Sequence, residues 1–261
     1  MVLMELQNIT KSFGGLKALT DVSFSIEKDS ITSIIGPNGA GKTTLFNIIS
    51  NFYKPDSGKI LLEGRNITNY KVHECAKLGI TRTFQNIRLF YNMTVLENVL
   101  VGLHAKAKSG LSSLFDTMFR TKSFYSTERE LMERSIEVIK FLGLDDHLNT
   151  LAKNLPYGLQ RKLEIARAIA PSPKLLLLDE PTAGMNYKEI NEIIDIILKI
   201  REMGITVTLI EHQMMLVMNI SDKVIVLDHG VKIAEGTPDE VKNDEKVIDA
   251  YLGKEETESY V

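Results

Sequence analysis

Gly36-Pro37-Asn38-Gly39-Ala40-Gly41-Lys42-Thr43 is the stretch on which the fold turns. It fits glycine, four residues, glycine, lysine, threonine, and it follows the apolar run Ile31 to Ile35 and precedes a helix-forming segment. Glycines at 36, 39 and 41 permit positive φ and remove Cβ atoms, so consecutive backbone N–H groups can turn inward around a phosphate. The helix that starts there adds its positive end. Lys42 is placed to reach β- and γ-phosphates, the Thr43 hydroxyl to ligate Mg²⁺, and Pro37, Asn38, Ala40 and Thr44 complete the cradle. A glycine-rich turn with an incidental lysine is the bland alternative, which the full match and its flanks disfavour.

Such a loop needs an acidic residue at the end of a neighbouring buried strand. Leu175-Leu176-Leu177-Leu178-Asp179-Glu180 supplies it. Asp179 at the strand end can hold Mg²⁺ through water, and Glu180, pointing differently, can act as general base towards an attacking water. Alone, a strand-end acidic pair is as readily solvation of a sheet edge; beside the phosphate loop it reads as chemistry.

Around these motifs the chain is ordinary globular material. Its 261 residues are 44% apolar and 25% charged, which excludes a disordered or collagen-like protein and allows a core plus a subdomain. Lys and Arg number 31 against 34 Asp and Glu, which argues against a nucleic-acid coat, so no nucleic-acid partner is expected. Cys75, the single cysteine, cannot form an internal disulfide and reads as a small buried or half-buried residue in a reducing compartment. No signal peptide is indicated, and no apolar run approaches the roughly 20 residues that cross a bilayer. If the protein serves a membrane process, another chain supplies the span.

From Leu3 to Leu62 the pattern is mainly strands; Leu175 to Asp179, Thr206 to Ile210 and Lys223 to Leu227 return to short β-rich runs separated by helix-length segments, the pattern of a parallel α/β sheet. Between them helical spacing dominates, as over Glu128 to Leu142, where Leu131, Ile136, Ile139 and Leu142 recur at roughly helical spacing. The expected division is a nucleotide-binding core over 1–85 and 156–261 and a helical subdomain over 86–155. Asn186 with Glu189 predicts a capped helix over Ile190 to Ile200, closed by Gly204; Thr237 with Glu240 and Pro238 predicts another. Lys254 to Val261 is polar and reads as a loose tail.

Thr83-Phe84-Gln85, Leu155-Pro156-Tyr157-Gly158-Leu159-Gln160-Arg161, Asp179-Glu180-Pro181-Thr182 and Ile210-Glu211-His212 follow in the order found in ATP-binding-cassette (ABC) ATPases, and the resemblance spans nearly the whole chain. Within that family, Arg82 to Gln85, Arg88-Leu89-Phe90, Met93-Thr94-Val95, Glu97-Asn98, Leu163 to Arg167, Ala183-Gly184 and Ala250 to Gly253 resemble LivG-type ATPase subunits of branched-chain amino-acid importers. The resemblance implies a P-loop cassette of α/β class: a RecA-like, mostly parallel sheet, an antiparallel β region and an inserted helical subdomain. It implies ATP and Mg²⁺ as ligands and a head-to-tail dimer in which each ATP touches both chains. Gln85 would sense Mg²⁺ and water, and His212 would bond the γ-phosphate. Phe13 would stack on adenine, although an isolated aromatic there also serves as core or turn filling. Tyr157 and Gly158 would contact the ATP of the facing cassette.

Two departures stand out. The usual signature Leu-Ser-Gly-Gly-Gln keeps only Leu155 and Gly158, and Pro156 has neither the hydroxyl nor the N–H of the usual serine. A weaker signature half-site follows, with a related, non-identical partner cassette implied. Asn186 stands where many relatives carry Asp, either as a helix cap or in an interface role. The reading is an importer ATPase bound peripherally at the cytoplasmic face of the cell membrane, working through transmembrane permease subunits and, indirectly, an extracytoplasmic substrate-binding protein. Its rivals are the ATPase of a lipid or lipopolysaccharide exporter, a soluble regulatory cassette without turnover, and a ribosome- or nucleic-acid-associated factor, the last disfavoured by a single cassette with no basic tract.

Overall fold

The structure, a computed structural model, describes residues 1–104 and 122–258. Strands β1 (Val2–Phe13), β2 (Leu16–Glu27), β4 (Ser57–Leu62) and β5 (Arg65–Asn66) form an antiparallel sheet in the order β2-β1-β4-β5. A second sheet has the order β10-β9-β3-β8-β7-β6, built from β3 (Ile31–Ile35), β6 (Ile80–Arg82), β7 (Leu175–Asp179), β8 (Thr206–Ile210), β9 (Lys223–Asp228) and β10 (Val231–Gly236). Every pairing in it is parallel except that of β10 with β9. All residues of β3, β7 and β8 are buried, and their polar members are uncharged Thr32, Ser33, Thr206 and Thr208 apart from Asp179 at the end of β7, as suits strands covered on both faces.

One apolar cluster joins Leu6, Ile9 and Val22 of the antiparallel sheet to Phe46 and Ile49 of the helix Lys42–Ile49 and to Ile34 and Leu177 of the parallel sheet. A second gathers Ile35, Val217, Val224, Val226, Val241 and Val247, with Tyr251 packed against it. Each such side chain contributes about 1.5–3 kcal/mol on burial, so these clusters fix the sheet from which the site loops leave. Cys75 is buried, and its sulfur accepts a hydrogen bond from Asn51 Nδ2 at 2.9 Å.

The chain divides into two compact units, 1–85 with 174–261 and 86–173. The second boundary therefore lies beyond the 155/156 junction expected from sequence. The reason is a contact between residues far apart in sequence: Gly102 of the helix Val95–His104 lies so close to the helix Tyr157–Ile169 that a Cβ on it would meet Arg167 O at 2.4 Å. The signature helix thus packs within the helical unit. That unit also contains the helix Lys122–Phe141, longer at its start than the periodicity suggested, with Val138 and Ile139 buried.

The helix Tyr187–Glu202 is capped as expected: Asn186 Oδ1 accepts from Lys188 N at 3.0 Å and Glu189 N at 3.1 Å, and Glu189 answers the Asn186 N–H. Thr237 and Glu240 repeat this at Pro238–Lys242. The loose-tail expectation fails over its first part, since Lys254 to Glu258 continue the helix Glu245–Glu258; Val247 and Tyr251, four residues apart, anchor that helix on the second cluster. Residues 259–261 of the expected tail lie outside the described residues. Among the described residues no helix is long and apolar enough to cross a membrane.

Candidate nucleotide-binding and hydrolysis site

Register lines up the site. Ile34 of β3 is paired with Ile210 of β8, and Ile210 with Asp179 of β7, while Arg82 of β6 is paired with Leu177. The phosphate loop, His212, Glu180 and Gln85 therefore leave the carboxyl ends of these parallel strands on one edge of the sheet, the usual position for a ligand crevice in an open α/β sheet.

Gly36 and Gly41 are required by space as well as by conformation. At φ +148° a Cβ on Gly36 would meet Leu227 O at 2.0 Å, and at φ +100° one on Gly41 would meet Ala18 O at 2.6 Å. Gly39, at φ +80°, faces open space. Pro37 and Ala40 are buried, Asn38 and Thr43 exposed, and Thr44 half-buried. Lys42 is buried inside the loop, its Nζ donating to Gly36 O at 2.7 Å and Pro37 O at 2.9 Å. The ammonium is thus already curled to where the cradle's centre lies. The cradle suits phosphates: backbone N–H groups at a helix start, one lysine, no Cβ in the way.

At the end of β7 the backbone bends sharply. Glu180 has φ +46°, an unfavourable conformation for a residue with a Cβ, and its N–H is held by Ile210 O at 3.0 Å. This turn aims its carboxylate between two partners: Gln85 Nε2 donates to Oε2 at 2.9 Å, and His212 Nε2 lies 2.9 Å from Oε1. Gln85, Glu180 and His212 are thereby brought together, at a position still open to solvent. Glu211, to which sequence reasoning gave no role, is buried and accepts from Thr182 N at 3.1 Å and Thr182 Oγ1 at 2.6 Å. It ties the loop after Glu180 to the loop carrying His212.

Asp179 is buried and its Oδ2 takes a 2.7 Å hydrogen bond from Arg82 Nη2; its own N–H donates to Thr83 Oγ1 at 3.3 Å. Arg82 was quoted in the sequence only as part of a motif. Its neighbours Thr81 and Thr83 are themselves polar, so no local pattern set it apart. The exposed Thr43 hydroxyl at the helix start and the buried Asp179 carboxylate are both hard oxygen donors, a chemistry that fits Mg²⁺ better than a transition metal.

Phe13, at the end of β1, is 43% exposed and packs edge-on to Tyr53 with centroids 5.3 Å apart, so it is not core filling. Lys11 Nζ lies 5.5 Å from its ring centroid. Tyr53 had not been singled out from sequence.

Tyr157 and Gly158 belong to the helical unit. Pro156 is the N-cap of the helix Tyr157–Ile169 and offers no capping side chain, so the first N–H groups of this helix carry its positive end outward. Tyr157 is exposed and Gly158 buried. Behind them Arg161 and Glu164 form a fully buried pair at 2.8 Å that stiffens the first turns.

Strand-end phosphate loop, buried aspartate, and a glutamate held between a glutamine and a histidine define a P-loop nucleotide hydrolase. Residues 19–183 match the family model described as ABC transporter, and the chain belongs to that family, as an ATP-binding, ATP-hydrolysing cassette. Residues 231–257 match a second model, described as branched-chain amino acid ATP-binding cassette transporter. The chain is 44% identical over 97% of its length to the high-affinity branched-chain amino acid transport ATP-binding protein LivG of Salmonella typhimurium, covering 98% of that protein. It is 43% identical over 97% of its length to BraF of Pseudomonas aeruginosa, covering 98% of it. An ATP-binding cassette of an ABC transporter solved in its ADP conformation superposes with a TM-score of 0.84 at 38% identity, covering 97% of this chain and 99% of that one.

Proposed function

We propose that the chain is the ATP-hydrolysing subunit of a branched-chain amino-acid importer. The observation that carries the hydrolytic part is the Glu180 carboxylate, set by a strained turn between Gln85 and His212 at the sheet edge of the phosphate loop. The cargo rests on the match of residues 231–257 and on the relatives.

In this reading, Gly36 to Thr44 and Lys42 in particular hold the phosphates, and Phe13 stacks on the adenine with Tyr53 beside it. Thr43 and Asp179, with Gln85 alongside, would hold Mg²⁺, which would supply positive charge against the phosphates. Glu180 accepts a proton from the attacking water while His212 steadies the γ-phosphate, so the protein contributes positioning and electrostatics and forms no bond to phosphorus. Two cassettes close on ATP, each offering Tyr157, Gly158 and the start of the signature helix to the other's nucleotide. Because Pro156 lacks the serine hydroxyl, the partner is a related, non-identical cassette. The pair sits at the cytoplasmic face against transmembrane permease subunits that receive cargo from an extracytoplasmic binding protein.

The loop after Gln85 is the face on which the cassette would receive the permease, and its support comes from Asn98. Its buried amide accepts from Phe90 N at 3.0 Å and donates to Phe90 O at 3.1 Å and Thr94 O at 2.9 Å, holding a loop that leaves Phe90, Tyr91 and Met93 exposed. Co-purification with its membrane partners, followed by ATP-driven uptake of leucine, isoleucine and valine into proteoliposomes, tests the proposal. Uptake of none of the three by an ATP-hydrolysing complex would reject the cargo.

A further inference from the structure

Arg82 makes more contacts than a strand-end arginine needs. Its Nη2 donates to Asp179 Oδ2 at 2.7 Å, and its Nη1 donates to Asn47 Oδ1 at 2.7 Å, in the last turn of the helix that begins at Lys42, and to Ser50 Oγ at 3.0 Å, at that helix's C-cap. Its guanidinium carbon lies 5.5, 5.8 and 5.3 Å from the ring centroids of Phe46, Phe52 and Phe84. Its Nε, buried, has no hydrogen-bond partner. Three residues on, the same segment delivers Gln85.

A buried ion pair is a poor way to gain stability, because desolvation of both charges offsets their attraction. What this pair does gain is orientation. The planar fork fixes one carboxylate oxygen of Asp179 and leaves the other to face elsewhere, and the aromatic cage keeps the fork from rotating. We propose that Arg82 is a positioning residue for Mg²⁺: it orients Asp179 and ties that carboxylate to the helix of the phosphate loop, so that the Asp179 and Thr43 oxygens stand at a fixed separation before the cation arrives. This rests on the assignment of Asp179 to Mg²⁺ made above. Partners of this kind behind a metal ligand are worth about 10- to 100-fold in metal affinity.

The test is the ratio of fluorescent ATP-analogue affinity in Mg²⁺ to that in EDTA, measured on the full chain. Arg82→Gln should reduce this ratio about tenfold or more while affinity in EDTA stays within about twofold. Arg82→Lys should fall between, since an ammonium can reach Asp179 but cannot also bridge Asn47 and Ser50. A folded Arg82→Gln with an unchanged ratio overturns the proposal, and so does a parallel loss in Mg²⁺ and EDTA, which marks a merely structural residue. Should Arg82→Gln fail to fold, Arg82→Lys and Asn47→Ala decide, the latter freeing one edge of the fork without touching the pair; full Mg²⁺ dependence in both overturns it. Asp179→Asn separates the two levels of argument. If that variant keeps the Mg²⁺ dependence, the assignment of Asp179 is wrong; if it loses it and the Arg82 variants do not, only the role of Arg82 falls.

Discussion

His212 Nε2 lies 2.9 Å from Glu180 Oε1, at a point where the Glu180 backbone has the left-handed φ of +46°. The strain is held by Ile210 O on the Glu180 N–H and by Glu211 on Thr182, so the carboxylate is presented without a flexible arm. Glu180→Gln keeps the shape and removes the base. It should leave ATP binding intact and slow hydrolysis in the assembled complex by about 10²- to 10⁴-fold, with the ATP-bound dimer accumulating. Phosphate release under steady state checks this, and near-normal turnover removes Glu180 from the role.

Lys42 presents a different case because it is buried, with two loop carbonyls as its partners. Lys42→Ala should impair ATP binding, and it should also lower stability by about 1–3 kcal/mol by removing the lysine from Gly36 O, whereas Pro37 O keeps the Ala40 N–H. Equilibrium denaturation separates the two effects. Unchanged nucleotide affinity and turnover in the folded variant would remove the phosphate-loop assignment.

Local rules made the phosphate loop, the strand ends and the caps legible: glycine spacing, apolar runs and Asn186-x-x-Glu189 each act within a few residues. What stayed hidden depends on distant partners. Nothing near Arg82 reveals that Asn47, Ser50 and Asp179 converge on it, and the buried state of Glu211 follows from Thr182 across two loops. The domain boundary was missed for the same reason, since the contact of Gly102 with Arg167 spans 65 residues, as 167 − 102. The polar tail was misjudged because two anchors, Val247 and Tyr251, carry a helix whose later residues give no apolar signal.

Asn186 Oδ1 accepts from two N–H groups at the start of Tyr187–Glu202, which gives its side-chain oxygen the role of a cap. Asn186→Ala should lower stability by about 1 kcal/mol, whereas Asn186→Asp, an equally good cap with added charge at a helix start, should keep it. Urea denaturation of the three proteins checks this. An unstabilising Ala variant with altered dimerisation would favour the interface role instead.

Tyr251 joins the segment 231–257 to the phosphate loop, since its hydroxyl is hydrogen-bonded to the Gly36 backbone and burial pushes its pKa above the usual tyrosine value. The phenol therefore stays neutral throughout the working pH range. Tyr251→Phe keeps the packing and loses that one bond, worth about 1 kcal/mol, so ATP affinity should fall roughly fivefold with little change in the helix. Circular dichroism and a nucleotide titration read the two separately, and unchanged affinity would mean that Gly36 does not need the contact.

The remaining prediction concerns the face held up by Asn98. Of the three apolar residues there, Leu89 is 8% exposed and belongs to the core of the helical unit, while Phe90 and Met93 are 46% and 37% exposed. Phe90 is backed by the Arg167 guanidinium 5.6 Å from its centroid, which keeps the ring outward and stiff. Apolar area on a partner would be buried here at about 25 cal/mol per Å². Phe90→Ser and Met93→Ser should therefore release the cassette from its membrane partners, or leave ATP hydrolysis running without transport, while the isolated chain binds nucleotide as before. Leu89→Ser should instead unfold the helical unit, because it opens a buried site to a hydroxyl. Parallel assays of membrane retention, ATPase rate and uptake distinguish these results. Transport at the normal rate with both exposed residues replaced would show that the permease docks elsewhere.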